Sequence, residues 1–518
     1  MMHPVTVPAR LAERARLHPH RVMYRVGEQT RTYGEMGRRA EEIAAGLTEA
    51  GLGQGDRLAI LAEHTLEAWE LVFGCARAGV VPVLLNFRLI PAELGQIVAD
   101  GRCRLLLSTA LLGQLGAAVP LEPQTERRDL AEFVTGCVGG TPPDVEIGEH
   151  DDLVQLYTSG TTGLPKGVRT THGNLWHLSE AASHELPAFA SDSVHLVAAP
   201  LFHSAGFSYG FAGLASGAQS VLVPMFDPVQ VAQLIATHRC TNGLLVPAML
   251  QAVIEHPGNA DADFSSLRGV LYGGSPMPAS LLRAVATRLG CRLTQAYGLT
   301  ETSGFATLLR WDDHEAALAA EPGSPAAQRI ASAGYAVPGI EVGVVDDDRN
   351  PVDTGSPGEV VVRGPLVMPG YWQRPEENER LIDPDGWFHT GDVGYLDEDG
   401  YLFLVDRKND LVVTKGENVF PGEVERVLAD HEAVREVAVI GVPDESFGER
   451  LHAVIVLREG TELGLAELQE YCRGQLAGFK IPRGVDAVEG PLPRTPSGKV
   501  LRRALRAPYW AGHERQIH

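Results

Sequence analysis

Short apolar runs recur along the first 300 residues, at 57–62, 104–108, 194–199, 220–224, 243–246 and 269–272. Amphipathic patterns at 35–51, 66–79, 228–238, 248–255 and 279–289 flank or separate several of them. Runs of four to six apolar residues read as strands buried on both faces, and the intervening periodicity reads as helix. Alternation of the two predicts α/β layers with mostly parallel sheets. At 518 residues the chain is too long for a single core, so more than one domain is expected. The pattern changes near residue 340, where 340–345 and 358–362 read as β-branched antiparallel strands, followed by turn-rich sequence through 383–400. Beyond 407 comes a compact α+β unit with helices at 421–430 and 465–475 and strands at 436–442 and 452–457. The main boundary is therefore expected at 406–410, giving domains 1–407 and 408–518. The Ala-, Pro- and Glu-rich stretch 312–332 reads as a surface excursion.

The formal charge is 44 − 66 = −22. That balance disfavours nucleic acid and anionic membrane surfaces as partners. It also requires a site for a polyanion to concentrate its cations locally, with Lys166, Arg407 and Lys499 as candidates. The six cysteines are scattered, with no C-x-x-C pair, so structural zinc and a disulfide framework are not expected. Residues 1–20 carry Pro, Arg and His where a secretory leader needs an apolar core, and the best apolar run, 78–85, is interrupted by Pro82. The expectation is a cytoplasmic protein without an integral membrane segment. Nothing in the chain specifies an oligomeric state.

Residues 157–167 read Tyr-Thr-Ser-Gly-Thr-Thr-Gly-Leu-Pro-Lys-Gly. Thr158, Ser159, Thr161 and Thr162 supply hydroxyls, Gly160, Gly163 and Gly167 free backbone, and Lys166 one positive charge. Backbone N–H groups released by glycine can point into one concavity, so the loop suits a polyphosphate. The spacing is not that of a Walker A loop. An ordinary polar surface loop needs no such crowding of hydroxyls around Gly and Lys.

Three further constellations carry chemistry. In Tyr297-Gly298-Leu299-Thr300-Glu301, following an expected strand at 292–296, a tyrosine face can stack on a purine and a threonine hydroxyl can reach a phosphate. The Glu301 carboxylate can hold Mg²⁺ beside that phosphate. In Pro493-Arg494-Thr495-Pro496-Ser497-Gly498-Lys499, a lysine on a Gly-containing loop can swing to a site and bridge a carboxylate and an α-phosphate. Two anions that must meet are brought together by such a cation. A solvated basic tail would explain the charges there but not the P-x-T-x-x-G-K spacing. Thr390-Gly391-Asp392 is read as a turn after Trp387-Phe388-His389.

Together these segments resemble the adenylate-forming superfamily of acyl-CoA synthetases, luciferases and peptide-synthetase adenylation domains, over residues 11–503. The resemblance implies a large N-terminal domain of layered α/β sheets plus a β-barrel-like part, and a small mobile C-terminal domain carrying the catalytic lysine, Lys499. It implies that Asp392 accepts hydrogen bonds from the ribose hydroxyls and that Arg407 also holds the ribose beside the hinge. Gly273-Gly274-Ser275-Pro276 and Pro200-Leu201-Phe202-His203 match two more family segments, implying an acyl–adenine channel gated by His203. A histidine after Phe can equally be a packed one. Ala296, Tyr297, Gly298, Thr300, Lys166, the 158–163 hydroxyls and glycines, and Gly273 to Ser275 are implied nucleotide contacts.

The implied activity is that of an acid–thiol ligase: a carboxylic acid and ATP, with Mg²⁺, form an acyl-adenylate, and coenzyme A then takes the acyl group. Small and neutral residues in the 203–206 and 273–275 segments point to an apolar acid, fatty acyl first and aryl or alicyclic second. A stand-alone enzyme loading a carrier protein is the alternative. Amino-acid adenylation domains carry an aspartate for the substrate ammonium where this chain has His203. Nothing supports luciferase-like oxygen chemistry, and retention of Lys166, Glu301 and Lys499 argues against a dead nucleotide-binding module. Two departures stand out. The hinge position, usually Asp or Lys, is Asn409, and Thr414-Lys415-Gly416-Glu417-Asn418 replaces the common Gly-Gly-Glu-Asn near the thiol's approach.

Overall fold

The computed structural model describes residues 6–158, 165–186, 189–275, 277–321, 324–407, 412–414, 417–444, 448–473, 475–494 and 500–511. Two large sheets form the N-terminal part. The first runs, in spatial order, through Glu126–Asp129, Leu105–Ser108, Arg57–Leu61, Val81–Leu84, Asp152–Thr158 and Lys166–Thr171, parallel except for the last pair. The second has nine strands, and its middle strands Val22–Val26, Gln219–Leu222, Val194–Val197, Asn242–Leu244, Gly269–Gly273 and Arg292–Tyr297 lie parallel. Antiparallel strands close both of its edges: Gln29–Thr32 on one side, Thr307–Leu309 and Tyr335–Ala336 on the other.

Helices cover these sheets for local reasons. Tyr33–Glu49 begins where the Thr32 hydroxyl accepts from Glu35 N while the Glu35 carboxylate accepts from Thr32 N at 2.8 Å, a reciprocal cap. Its buried face, Met36, Ala40, Ile43, Ala44 and Leu47, meets Leu66–Ala78, which ends at left-handed Gly79. A Cβ at Gly74 would lie 2.3 Å from Ile43 Cγ2, so glycine is what lets the two helices touch. Trp69 and Phe73 of the second helix gather with Tyr24, Phe207 and Phe211 into one aromatic cluster. The helix Ser204–Gly210 leans on that wall, because a Cβ at Gly210 would reach 2.1 Å from the Trp69 ring.

A four-stranded antiparallel meander follows, Glu341–Val345, Gly358–Arg363, Phe388–Leu396 and Leu402–Arg407. Here the expectation of turn-rich sequence through 383–400 is overturned. Phe388–Leu396 is a nine-residue strand, and Thr390-Gly391-Asp392 lies within it rather than in a turn. The register slips between Glu359/Val393 and Val361/His389, and Gly391 sits at φ 73°, so the strand bulges at the glycine. A Gly-Asp pair reads as a turn locally, but the sheet absorbs it as a bulge. The stretch 312–332 is largely exposed or half-buried among its described residues, as expected of a surface excursion, and it is structured: Trp311–Ala319 is a helix whose His314 is buried against the Tyr272 hydroxyl at 2.7 Å.

Residues after 412 form a separate five-stranded sheet, in which Val434–Asp444 pairs along its length with Gly448–Leu457. Pro421–Ala429 and Leu465–Cys472 cover one face through Val424, Leu428, Leu468 and Cys472. Arg502–Trp510 covers the other through Leu505 and Tyr509. Among the described residues no helix is long and apolar enough to cross a membrane.

Candidate active site

Segments singled out in the sequence gather where parallel strands end. Thr158, Gly273 and Tyr297 are the last residues of their strands, and 199–203 and 245–246 follow two others. Crevices beyond the carboxyl ends of strands are where open α/β sheets take ligands. The Ser-Thr-Gly-rich loop connects the antiparallel pair Asp152–Thr158 and Lys166–Thr171, with Thr158 opposite Lys166. Ser159, Gly160, Thr161, Thr162 and Gly163 themselves lie outside the described residues, as do Pro276, Lys408, Asn409, Asp410, Lys415 and Lys499.

Tyr297 and Asp392 meet. The buried Tyr297 hydroxyl donates to Asp392 Oδ2 at 2.7 Å, joining the strand end at 297 to the bulged strand. Thr390 Oγ1 donates to Val360 O at 2.7 Å and accepts from Asp392 N at 3.1 Å, which holds the bulge in shape. Asp392 is the register partner of Arg407 on the neighbouring strand. Past Tyr297 the chain folds tightly on itself: a Cβ at Gly298 would lie 2.5 Å from both Gly304 O and Phe305 Cα. The single helical turn Thr300–Thr302 leaves Glu301 buried and Thr300 half-buried, and ends at left-handed Ser303.

Glu301 has two partners from one segment that sequence reading passed over. Tyr371 donates its hydroxyl to Glu301 Oε1 at 2.7 Å, and Met368 N donates to Glu301 O at 2.8 Å. The ammonium of Lys166 lies 5.2 Å from the centre of the same tyrosine ring and is ion-paired with Glu377 on the helix Pro375–Leu381. Lys166 and Glu301 are thus both brought to Tyr371, the lysine near its ring and the carboxylate at its hydroxyl. No periodicity marks Gly370-Tyr371, so the sequence carries no local signal for it.

A second network ties the strand Asp152–Thr158 to its neighbours. Tyr157 donates to Asp100 Oδ2 at 2.7 Å, and Arg374 pairs with Asp100 Oδ1 at 2.6 Å. Arg57 bonds Gln155 Oε1 and Asp152 while its guanidinium lies 3.3 Å from the centre of the Trp372 ring. Burial pushes the Arg57 pKa below its usual value, with Asp152 opposing that shift. These groups hold both ends of the hairpin to the 370–374 segment.

In the Pro200–His203 segment, His203 caps the helix Ser204–Gly210, its Nδ1 accepting from Ala205 N at 3.1 Å. That is a local structural role for a residue read from sequence as a channel gate. Gly206 is needed because a Cβ would lie 2.0 Å from Pro200 O. Behind it, Trp69 Nε1 donates to His64 Nδ1 at 3.1 Å, so the neutral ring carries its hydrogen on Nε2 and donates to Ala199 O at 2.8 Å. Burial brings the His64 pKa down to about 4, which keeps it neutral. Gly273 backs against Ala296 O, 2.3 Å from its would-be Cβ, and Gly274 takes φ 80° with Ser275 following half-buried. No described cluster of three or more His, Cys, Asp or Glu could hold a metal by itself. Mg²⁺ bound through one carboxylate and phosphate oxygens needs none, and the buried Glu301 carboxylate suits that donor set.

The family model described as AMP-binding enzyme matches residues 11–372, and that of the AMP-binding enzyme C-terminal domain matches 423–499. The chain is 39% identical over 500 residues to a feruloyl-CoA synthase of Amycolatopsis sp, covering 95% of this chain and 97% of that one. It is 36% identical over 498 residues to the fatty acid–[acyl-carrier-protein] ligase ScoC of Streptomyces coeruleorubidus, covering 95% and 94%. Its fold matches the o-succinylbenzoate CoA synthetase MenE of Bacillus subtilis in complex with its acyl-adenylate intermediate, with a TM-score of 0.84, 30% identity and coverage of 98% and 99%. With matching models over both parts and relatives along its whole length, the chain belongs to the AMP-binding enzymes, the adenylate-forming superfamily, in its acyl-CoA synthetase branch.

Proposed function

We propose that this ligase activates an apolar monocarboxylic acid, fatty acyl first and aryl second, at a nucleotide site built from Tyr297, Thr300, Glu301, Asp392, Arg407 and Lys166, with Lys499 brought in by residues 408–518. The observation that carries the site is the buried Tyr297–Asp392 hydrogen bond, which joins two distant motifs at the carboxyl end of the sheet. Asp392 accepts the ribose hydroxyls, and the tyrosine face receives the purine. Ala296, Gly298, Gly273, Gly274 and Ser275 line the approach. Lys166, Thr300 and the 158–163 loop bind the phosphates. When bound beside Glu301, Mg²⁺ supplies charge neutralisation at those phosphates. Lys499 holds the carboxylate against the α-phosphate: a carboxylate oxygen attacks phosphorus, and the bond to pyrophosphate breaks. The coenzyme A sulfur then attacks the acyl carbon, loses its proton, and AMP departs.

Support for an apolar acid comes from the helix Ser204–Gly210, whose Phe207 packs on Trp69 and Phe211, and from the apolar segment 244–246 at the end of its strand. Both feruloyl-CoA and fatty-acid relatives fit that chemistry. The carrier-protein ligase among the relatives favours one second reading, in which a carrier thiol replaces coenzyme A. Pyrophosphate release across straight-chain acids from acetate to palmitate, cinnamates and benzoates tests the acid. Preference for malonate or an amino acid overturns it. Thioester yield with coenzyme A against a phosphopantetheinylated carrier protein decides the acceptor.

A further inference from the structure

We infer that Tyr371 is a positioning residue for Glu301, setting with one hydrogen bond the direction of the carboxylate that serves the nucleotide's metal ion. The inference rests on the metal role proposed above for Glu301. Tyr371 is 6% exposed, and its hydroxyl reaches Glu301 Oε1 at 2.7 Å. The phenol O–H donates and the carboxylate oxygen accepts, so the bond has one direction. A buried carboxylate held on one oxygen by such a donor loses rotational freedom, which is how outer partners orient metal ligands elsewhere.

The backbone around the pair is clamped as such a role requires. Tyr371 N donates to Asn378 Oδ1 at 2.7 Å, and Asn378 Nδ2 donates back to Tyr371 O at 2.9 Å. Gly370, at φ 138°, leaves no room for a side chain, since a Cβ would lie 2.6 Å from Asn378 Nδ2. Tyr371 bridges Val168, and Trp372 N donates to Gly167 O at 2.8 Å, so the ring is fixed to the strand that carries Lys166. Met368 N fixes the Glu301 carbonyl from the same segment. Residues 368–372 therefore hold the loop lysine and the carboxylate in one frame, the cation on the ring and the anion at the hydroxyl.

The test measures ATP affinity by calorimetry on the full chain, with Mg²⁺ and with excess EDTA, for wild type, Tyr371→Phe, Glu301→Gln and the double variant. Tyr371→Phe keeps the ring and should weaken MgATP binding roughly 10-fold, the scale of outer-partner losses at metal sites. It should leave affinity in EDTA within about two-fold and add nothing in the Glu301→Gln background. Equal weakening with and without Mg²⁺, or a full additional loss in the double variant, overturns the inference. Glu301→Asp keeps the charge but withdraws it from the phenol, and should lose most of the Mg²⁺-dependent gain. It serves if Tyr371→Phe folds poorly, and a full gain there also overturns the inference. If Glu301→Gln itself keeps the Mg²⁺ gain, the metal role of Glu301 fails. If Glu301→Gln loses it and Tyr371→Phe does not, only the role of Tyr371 fails.

Discussion

Tyr297 ends a parallel strand of the nine-stranded sheet and Asp392 sits in a bulge of the antiparallel meander, yet the phenol donates to the carboxylate at 2.7 Å with both side chains buried. A tyrosine that orients this aspartate does more than offer a ring face. A carboxylate has about four acceptor positions, and the tyrosine takes one of them, turning the group toward its remaining partners. Tyr297→Phe should keep the ring but release Asp392. With hydrogen bonds to charged groups worth about 1.5–3 kcal/mol, kcat/KM for ATP should fall by roughly 10- to 100-fold, read by pyrophosphate release against ATP concentration. An unchanged value would mean that Asp392 is held without Tyr297.

Two glycine substitutions should separate backbone strain from steric crowding. At Gly391, φ is 73° and nothing lies within 4 Å of a would-be Cβ, so Gly391→Ala should cost only conformational strain, about 1–2 kcal/mol. At Gly210 the added methyl would strike the Trp69 ring, and overpacking of about 1–3 kcal/mol is expected, with the helix behind His203 displaced. Urea midpoints measure both. Acid selectivity should change for Gly210→Ala and not for Gly391→Ala.

Stability should fall on mild acidification. Burial lowers the pKa of His64 and His172 to about 4 and that of His195 to about 3, from 6.5 in the unfolded chain. Between pH 6.5 and about 4 the unfolded chain binds protons that the folded one refuses, so stability is full above pH 6.5 and is lost as pH falls. Each such proton contributes about 1.4 kcal/mol per pH unit. Replacing His64 with Asn, which can still accept from Trp69 and donate to Ala199, should make urea midpoints less steep from pH 6.5 to 4.5. An unchanged slope would show that His64 is protonated in the fold.

The lysine on the C-terminal loop should matter for one half-reaction. Lys499→Ala should abolish adenylate formation and leave thioester formation from supplied acyl-adenylate largely intact, because in the proposed reaction its ammonium serves only the approach of carboxylate to phosphorus. The base of its loop is anchored, with Leu501 N donating to Pro493 O at 2.7 Å and Arg494 pairing with Glu436 at 2.7 Å. Equal loss of both half-reactions would remove the lysine from that role.

Much of the architecture was legible because it depends on short-range rules. Apolar runs at 57–62 and 269–272 became Arg57–Leu61 and Gly269–Gly273, and the pattern at 228–238 became the helix Pro228–His238, since strand and helix periodicities act over a few residues. The strand Phe388–Leu396 escaped because a Gly-Asp pair signals a turn locally, and only hydrogen bonds from flanking strands make it a bulge.

The same division holds at the site. The sequence by itself determined the candidate inventory: Lys166, Thr300, Glu301 and Asp392 stand in motifs whose residue types and spacing single them out. Which side chains orient them was decided by tertiary structure alone. Tyr371 and Glu377 lie some 70 residues or more from Glu301 and Lys166 in the chain, and a single tyrosine or glutamate carries no mark of its partner. Such contacts exist only once the 368–378 segment has packed between the loop strand and the 300–302 turn, because a hydrogen bond or ion pair is set by distance in space, to which separation along the chain is blind.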